Sequence, residues 1–523
     1  REQHPRRPAP LVQLGRLQAA ANRVEEAIKT LERSAREIEK GEVVLENDVA
    51  KSRYWADKAG VYALLVKLHL GLGRVGEALR YVERAKAAEL SEIARGAGSA
   101  GADLGRELEI AEARFVEELD REQQKPKPDA EKVRRLDDLL ADVRRRRADY
   151  IDQLDRQLGD RSGPRDVYAI RPLELEKLQE HVPEGTLVLS PIALDDRLVV
   201  FAVTRSAITH FDAPVGAAEI DRLVAGVLAE VAPPGGTQRG AKPLQQTGRK
   251  LDEGSIEKLR DPAKRLYDVL MRPALDRFGM PKTLVVSASG GLRYLPLTAL
   301  HDGKQWLVDK TALLAVTSLD QQKFSAAAAG SGSAKSNVLA LADPDGSLPG
   351  ARREVSEVRN VFGDVRVLDG QGATLQALRE QIRAPGYEIV HLATHGRLDG
   401  ARPDQSHILL AGQPLYYKDI PALRFARTRL VVLSACDTAS RGSGAEVTGL
   451  AYQFERTNVR AVLATLWPVD DAATARLMAD FYKRMRGGTG YVEALAAAQR
   501  ALAADAKYRH PYYWAPFVVI GAP

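Results

Sequence analysis

From residue 10 to 160, apolar positions recur at helical spacing with almost no β-branched runs, so this stretch is expected to be all-helical. In the segment 53–90, Trp55, Ala59, Tyr62 and Leu65 precede Gly-Leu-Gly-Arg at 71–74, and Ala78, Val82 and Ala85 follow. That pattern predicts two antiparallel helices joined by a glycine-containing turn. Glu26-Ala27-Ile28 through Leu31 to Ala35 reads as the second helix of an earlier, degraded unit of the same kind. Residues 1–95 are therefore expected to form a repeat-like helical region. From 96 to 165 the pattern lengthens: Val133, Leu136, Leu140, Val143, Tyr150 and Leu154 follow 3-4 spacing, a coiled-coil-like stripe. Lys-Pro-Lys-Pro-Asp at 125–129 breaks it from the preceding helix, giving a long helical hairpin with the character of a spacer.

After Pro164 the texture changes. Thr186–Leu194 and Arg197–Thr204 predict paired strands around Asp195-Asp196, and Thr283–Ser289 predicts another beyond a Gly-, Pro- and Gln-rich loop at 232–250. These belong to a first α/β subdomain, 166–325. A Gly-, Ser- and Ala-rich flexible linker at 326–336 separates it from a second, 337–523. There, strands near 338–342, 365–368, 388–393, 429–434, 459–467 and 514–521 alternate with helices from Ala351, over 374–383, from Val447, over 471–486 and over 491–504. Short apolar strands separated by helices predict a mostly parallel sheet covered on both faces.

Composition narrows the function. At 523 residues the chain exceeds what one core usually serves, and its apolar fraction of 45% is enough for several. No apolar run reaches the roughly 20 residues that a membrane span needs, so no membrane partner is expected. The opening Arg-Glu-Gln-His-Pro lacks an initiating Met and a signal peptide, and reads as a chain with sequence missing upstream. The net charge of +6 comes with basic and acidic residues alternating along the helices, the pattern of a solvated surface. The dense cluster Arg144–Arg147 has no interleaved aromatics, so nucleic acid is not an expected partner. Cys436 is the single cysteine, which excludes an internal disulfide and a cysteine-based zinc site and suits a reducing cytoplasm. No phosphate loop, cofactor motif or metal-ligand cluster accompanies it; no cofactor or metal is expected.

In parallel sheets, functional residues gather where strands end at their C-terminal edge. The strand 388–393 runs out at Thr394-His395-Gly396, and the strand 430–434 at Ala435-Cys436-Asp437. A thiolate is a nucleophile, and an adjacent imidazole promotes it and later protonates a leaving amine. His395 and Cys436 are therefore the candidate dyad, and the N–H groups of Gly396 and Cys436 the candidate oxyanion hole. His391, inside its strand, is expected to be structural. Ser287, Ser289 and Gly290-Gly291 lack the Gly-x-Ser-x-Gly spacing of a serine hydrolase and read as a turn.

His-Leu-Ala-Thr-His-Gly (391–396), Leu-Ser-Ala-Cys-Asp-Thr-Ala (433–439), the stretch 464–482 and His-Pro-Tyr-Tyr-Trp-Ala-Pro-Phe (510–517) occur in that order. With 286–300 and 348–358, they resemble the CHAT peptidases, a caspase-like family related to separase and commonly fused to tetratricopeptide repeats, which the 53–90 pattern also resembles. The resemblance covers roughly 170 to 523. A caspase-type His precedes its Cys by roughly 50 residues; the interval from 395 to 436 is somewhat shorter. The resemblance implies a caspase-like three-layer α/β fold behind an all-α region, with His395 as general base, Cys436 as nucleophile, and 166–325 as a caspase-like half without a dyad. It further implies a specific protein substrate, an activating protein partner acting through the helices, and a setting of bacterial defence or regulated cell death. Separase carries a similar Leu-Trp-x-Val motif before an acidic residue and cuts after Arg. By that likeness Asp470 and Asp471 are S1 candidates for a basic side chain, with Asp437 a lesser one; either of the first two is equally an N-cap for the helix that follows. A non-enzymatic scaffold is the competing reading of the same fold.

Overall fold

The computed structural model describes residues 9–40, 48–97, 173–231, 251–320, 324, 337–383, 386–397, 406–434, 436–437, 445–457, 459–467 and 470–522, with scattered positions from 119 to 143. The chain forms two compact units, residues 1–68 with 98–171, and residues 69–97 with 172–523.

In the first unit, helices α1 (Ala9–Ala20) and α2 (Val24–Lys40) pack together. They approach closely because Gly15 has no Cβ; one built there would lie 2.7 Å from the Leu31 side chain. Ala27, Ile28, Leu31 and Ala35 are buried, as the helical spacing predicts. Helix α3 (Asp48–Gly71) leads through a turn, with Gly73 at φ +71°, into α4 (Val75–Ala97). Tyr62, Leu65, Ala78 and Val82 of the repeat pattern are buried. Leu136, Leu140 and Val143 of the hairpin stripe are buried too; most of 96–165, with Arg144–Arg147, lies outside the described residues, as do the 232–250 loop and the 326–336 linker.

The second unit is built on one sheet. In chain order its elements are α5 (Leu175–His181), β1 (Thr186–Ala193), β2 (Leu198–Val203), β3 (Ile208–Ala213), α6 (Ala217–Val231), α7 (Glu253–Leu270), α8 (Arg272–Phe278), β4 (Thr283–Val286) and β5 (Ala312–Ala315). Then come β6 (Val338–Ala342), α9 (Pro349–Phe362), β7 (Val365–Asp369), α10 (Leu375–Arg383), β8 (Ile389–Ala393), β9 (Gly396–Arg397), β10 (His407–Ile408) and β11 (Leu415–Tyr416). The chain closes with β12 (Leu430–Leu433), β13 (Cys436–Asp437), α11 (Ala445–Glu455), β14 (Ala461–Thr465), α12 (Asp471–Arg486), α13 (Tyr491–Ala503) and β15 (Phe517–Gly521).

Among the described residues, eleven strands join in the order β3-β2-β1-β4-β5-β15-β14-β12-β8-β6-β7. β1, β4, β5 and β15 run parallel, as do β14, β12, β8, β6 and β7; the two sets meet antiparallel where β15 pairs β14. β6, β8, β12 and β14 are buried at every position, as central strands covered on both faces must be. A second, four-stranded sheet, β11-β10-β9-β13, is made of two-residue strands. The β14–β15 junction needs a glycine. Gly521 has φ +141°, and a Cβ there would lie 2.3 Å from the Arg460 carbonyl oxygen and 2.7 Å from the Ala461 Cα. Gly521→Ala is expected to cost about 1–3 kcal/mol by overpacking, read as a lowered denaturation midpoint.

Helix α4 belongs to this unit and brings charge into it. Lys86 and Glu83 are buried, with the ammonium 2.8 Å from Glu83 Oε1 and donating also to Ser190 Oγ at 2.7 Å and to the Ser287 carbonyl at 2.5 Å. Glu83 accepts in addition from the Ser190 hydroxyl at 2.6 Å, the Ser287 hydroxyl at 3.1 Å and the Leu319 N–H at 2.6 Å. Burial pulls the Lys86 ammonium below its ordinary pKa, opposed by the charge of Glu83.

Candidate active site

Strands β8 and β12 are adjacent and parallel, with Leu392 opposite Leu433. The Ser434 N–H continues the ladder to the Leu392 carbonyl at 3.0 Å. Past that point both chains peel into the small sheet, where β9 pairs β13 in parallel and Cys436 stands opposite Gly396. The two candidate residues of the dyad thus emerge side by side from one sheet edge. The side chains of Cys436 and Asp437 lie outside the described residues.

His395 is held from several sides. The Thr394 hydroxyl donates to the Leu409 carbonyl at 2.8 Å, and the Leu409 N–H donates to the His395 carbonyl at 2.8 Å. Its imidazole is partly exposed and meets a loop from the neighbouring strand β6: Nε2 lies 2.7 Å from Ser347 Oγ and 3.9 Å from Asp345 Oδ2. The loop is rigidly built. Asp343 is buried at φ +47°, donates its N–H to the Ala393 carbonyl, and accepts from the Leu348 N–H and from Arg352 Nε, both at 2.7 Å. Partial burial opposes ionisation of Asp345, but the Ser347 hydroxyl and N–H hold its carboxyl below the ordinary value, so it is an anion at neutral pH. Asp345 and Ser347 were not among the expected residues. The Asp-Pro-Asp-Gly-Ser run directly after the strand 338–342 was the available signal, since it leaves the same sheet edge.

His391 sits beneath the site, wholly buried: Nδ1 is 2.8 Å from the Tyr482 hydroxyl, and Nε2 is 3.3 Å from Glu354 Oε1. Glu354 also accepts from the Ser434 hydroxyl at 2.8 Å. Burial, aided by the Glu354 charge, raises Tyr482 well above its usual pKa, so it remains a neutral donor and packing group. These contacts occupy His391 in the core.

The S1 candidates part company. Asp470 caps α12, its carboxylate accepting from the Ala472 and Ala473 N–H groups at 3.1 and 2.9 Å, so its local hydrogen bonds are those of the N-cap. Asp471 lies instead against the start of α9: a Cβ on Gly350 would come within 2.5 Å of its carboxylate. Trp467 and Trp514 are fully buried. Ser289 precedes a 3₁₀ turn, Gly290–Tyr294, as the spacing there suggested. No group of three or more potential metal ligands occurs among the described residues, and no helix among them is long and apolar enough to cross a membrane.

A mostly parallel α/β sheet with His and Cys candidates on adjacent strand ends defines the caspase-like class. Residues 260–522, half of the chain, match the CHAT domain, and the chain belongs to that family. Family and sheet together give a caspase-like α/β fold with an all-α N-terminal region. Mouse tetratricopeptide repeat protein 28 is 23% identical over 325 residues, covering 50% of this chain and 13% of that protein. The human protein of that name is 32% identical over 95 residues, covering 18% of this chain and 4% of that one. The chain thus spans a small fraction of the curated relatives it matches. Among solved structures, a Saccharomyces cerevisiae separase–securin complex aligns with TM-score 0.48 and 9% identity over 98% of this chain and 53% of that one. A second such complex gives 0.49 and 10% over 96% and 38%.

Proposed function

We propose that the chain is a cysteine endopeptidase in which His395 activates Cys436 for attack on a peptide carbonyl, with the N–H groups of Gly396 and Cys436 stabilising the oxyanion. The observation that carries this reading is the β9–β13 register, which sets Cys436 opposite Gly396, one residue from an imidazole aligned by its neighbours. His395 takes the thiol proton, the thiolate forms the acyl-enzyme, and the imidazolium returns the proton to the leaving amine. The half spanning 166–325 is silent in this scheme. Its Ser287 N–H bonds Leu189 just as that of Ser434 bonds Leu392, but the adjoining side chains are tied up by Glu83 and Lys86. The substrate is a specific protein, with S1 drawing on Asp471, Asp437 or Asp470. Access to the site is controlled by a protein partner that binds the helices of 1–95, and the setting is cytoplasmic, in defence or regulated cell death.

Peptide acyloxymethyl ketones with Arg, Lys, Leu, Met or Asp at P1 test the reading, followed by mass spectrometry of the full chain. Modification of Cys436 by the Arg and Lys probes, reduced in Asp471→Asn, is expected. Modification by none of them, with a thiol no more reactive than a free cysteine, would favour the scaffold.

A further inference from the structure

We propose that Asp345 and Ser347 are positioning residues that fix His395 in the Nε2–H tautomer and leave Nδ1 as the lone pair that accepts the thiol proton. The inference rests on the reading of His395 as the base, and goes beyond it by assigning the tautomer and the residues that set it.

The argument is one of donor and acceptor counting. Asp345 Oδ1 lies 2.8 Å from Ser347 Oγ and 3.1 Å from the Ser347 N–H. A carboxylate has no proton to give, so at that distance it must take the single hydroxyl proton of Ser347. Ser347 Oγ, 2.7 Å from His395 Nε2, then has only lone pairs to offer, and the bond between them requires Nε2–H. In a neutral imidazole with a protonated Nε2, the free lone pair is on Nδ1. When Nδ1 takes the thiol proton, the cation formed lies 3.9 Å from the Asp345 carboxylate at its far side. The bond made is N–H on Nδ1, the bond broken is the thiol S–H, and no other reactant is needed. Rigid support of this kind is what a base needs to stay aligned. It comes here from buried Asp343 and from Gly346, whose φ of +80° turns the loop back toward the strand edge. Charged residues on the adjoining elements are the Asp343–Arg352 pair of the same loop, Arg397 on β9 and His407 on β10.

The test uses the full chain, labelled with ¹⁵N-histidine, in long-range ¹H–¹⁵N spectra in which His395 is identified by its loss in His395→Gln. The neutral ring is expected as the Nε2–H tautomer in the wild type and in Ser347→Thr, and as a mixture in Ser347→Ala and Asp345→Asn. Alkylation of the single cysteine by iodoacetamide near neutral pH is expected to slow about tenfold in the latter two, the size of effect that removing an orienting partner produces. Both residues are exposed, so denaturation midpoints should hold while these readouts move. An Nδ1–H tautomer in the wild type, or spectra and rates unchanged by Ser347→Ala and Asp345→Asn, overturns the inference. Alkylation unaffected by His395→Gln would instead overturn the dyad itself.

Discussion

Lys86→Met is expected to destabilise the α/β unit by about 3–5 kcal/mol, the cost of stranding a buried charge. Glu83 would keep its hydrogen bonds from Ser190, Ser287 and Leu319 but lose the only cation bonded to it among the described residues. The next cation along, Arg293, is engaged by Glu89 at 2.6 Å. Replacing both members by apolar groups, Glu83→Leu with Lys86→Met, should recover only part of the loss, because it removes two buried charges but takes the acceptor from the Ser190 and Ser287 hydroxyls and the Leu319 N–H. Guanidinium denaturation of the two variants beside the wild type checks this. A single mutant within about 0.5 kcal/mol of wild type would mean that the pair behaves like an exposed one. Exposed pairs such as Arg23–Glu26, with side chains 54% and 57% accessible, are worth at most about 1 kcal/mol.

Trp467→Ala should cost as much by another route, about 3–5 kcal/mol from lost burial and the cavity left behind. Trp467 is 1% exposed, and its indole N–H donates to the Tyr512 carbonyl at 3.2 Å, tying the end of β14 to the segment before β15. Trp467→Phe keeps most of the volume and removes the indole's hydrogen bond to that carbonyl, so about 1–3 kcal/mol is expected. Were the indole instead a substrate-recognition surface, both variants would change labelling by peptide probes and leave the denaturation midpoint in place.

Much of this architecture was legible because it rests on local periodicity. The apolar runs at 338–342, 389–393, 430–433 and 461–465 are strands within a residue or two of their expected limits, and α12 spans its expected 471–486. His395 and Cys436 were singled out by the strand-edge rule, and the backbone pairing of Cys436 with Gly396 is in keeping with that choice, while the N-cap alternative for Asp470 describes its observed hydrogen bonds. What escaped depends on distant pairing. Strands of two residues, such as β9 and β13, carry no periodicity, and β3 and β5 were missed for their brevity and mixed composition. Lys86 reads as solvated charge in a helix of alternating signs; its burial follows from Ser190 and Ser287, more than a hundred residues away. Asp345 and Ser347 read as an ordinary turn, since only the pairing of β6 with β8 brings that turn to His395.

The central claim, that His395 activates Cys436, is met most directly by the rate of iodoacetamide alkylation as a function of pH. With one cysteine in 523 residues, the rate reports that thiol alone. A small reagent also reads the thiol whether or not a partner has opened the site to protein substrates. The account predicts substantial reactivity well below pH 8.5, the pKa of an ordinary thiol being about 8.5, and its loss in His395→Ala. Identical profiles for the two proteins, each rising only near the ordinary thiol pKa, would contradict it.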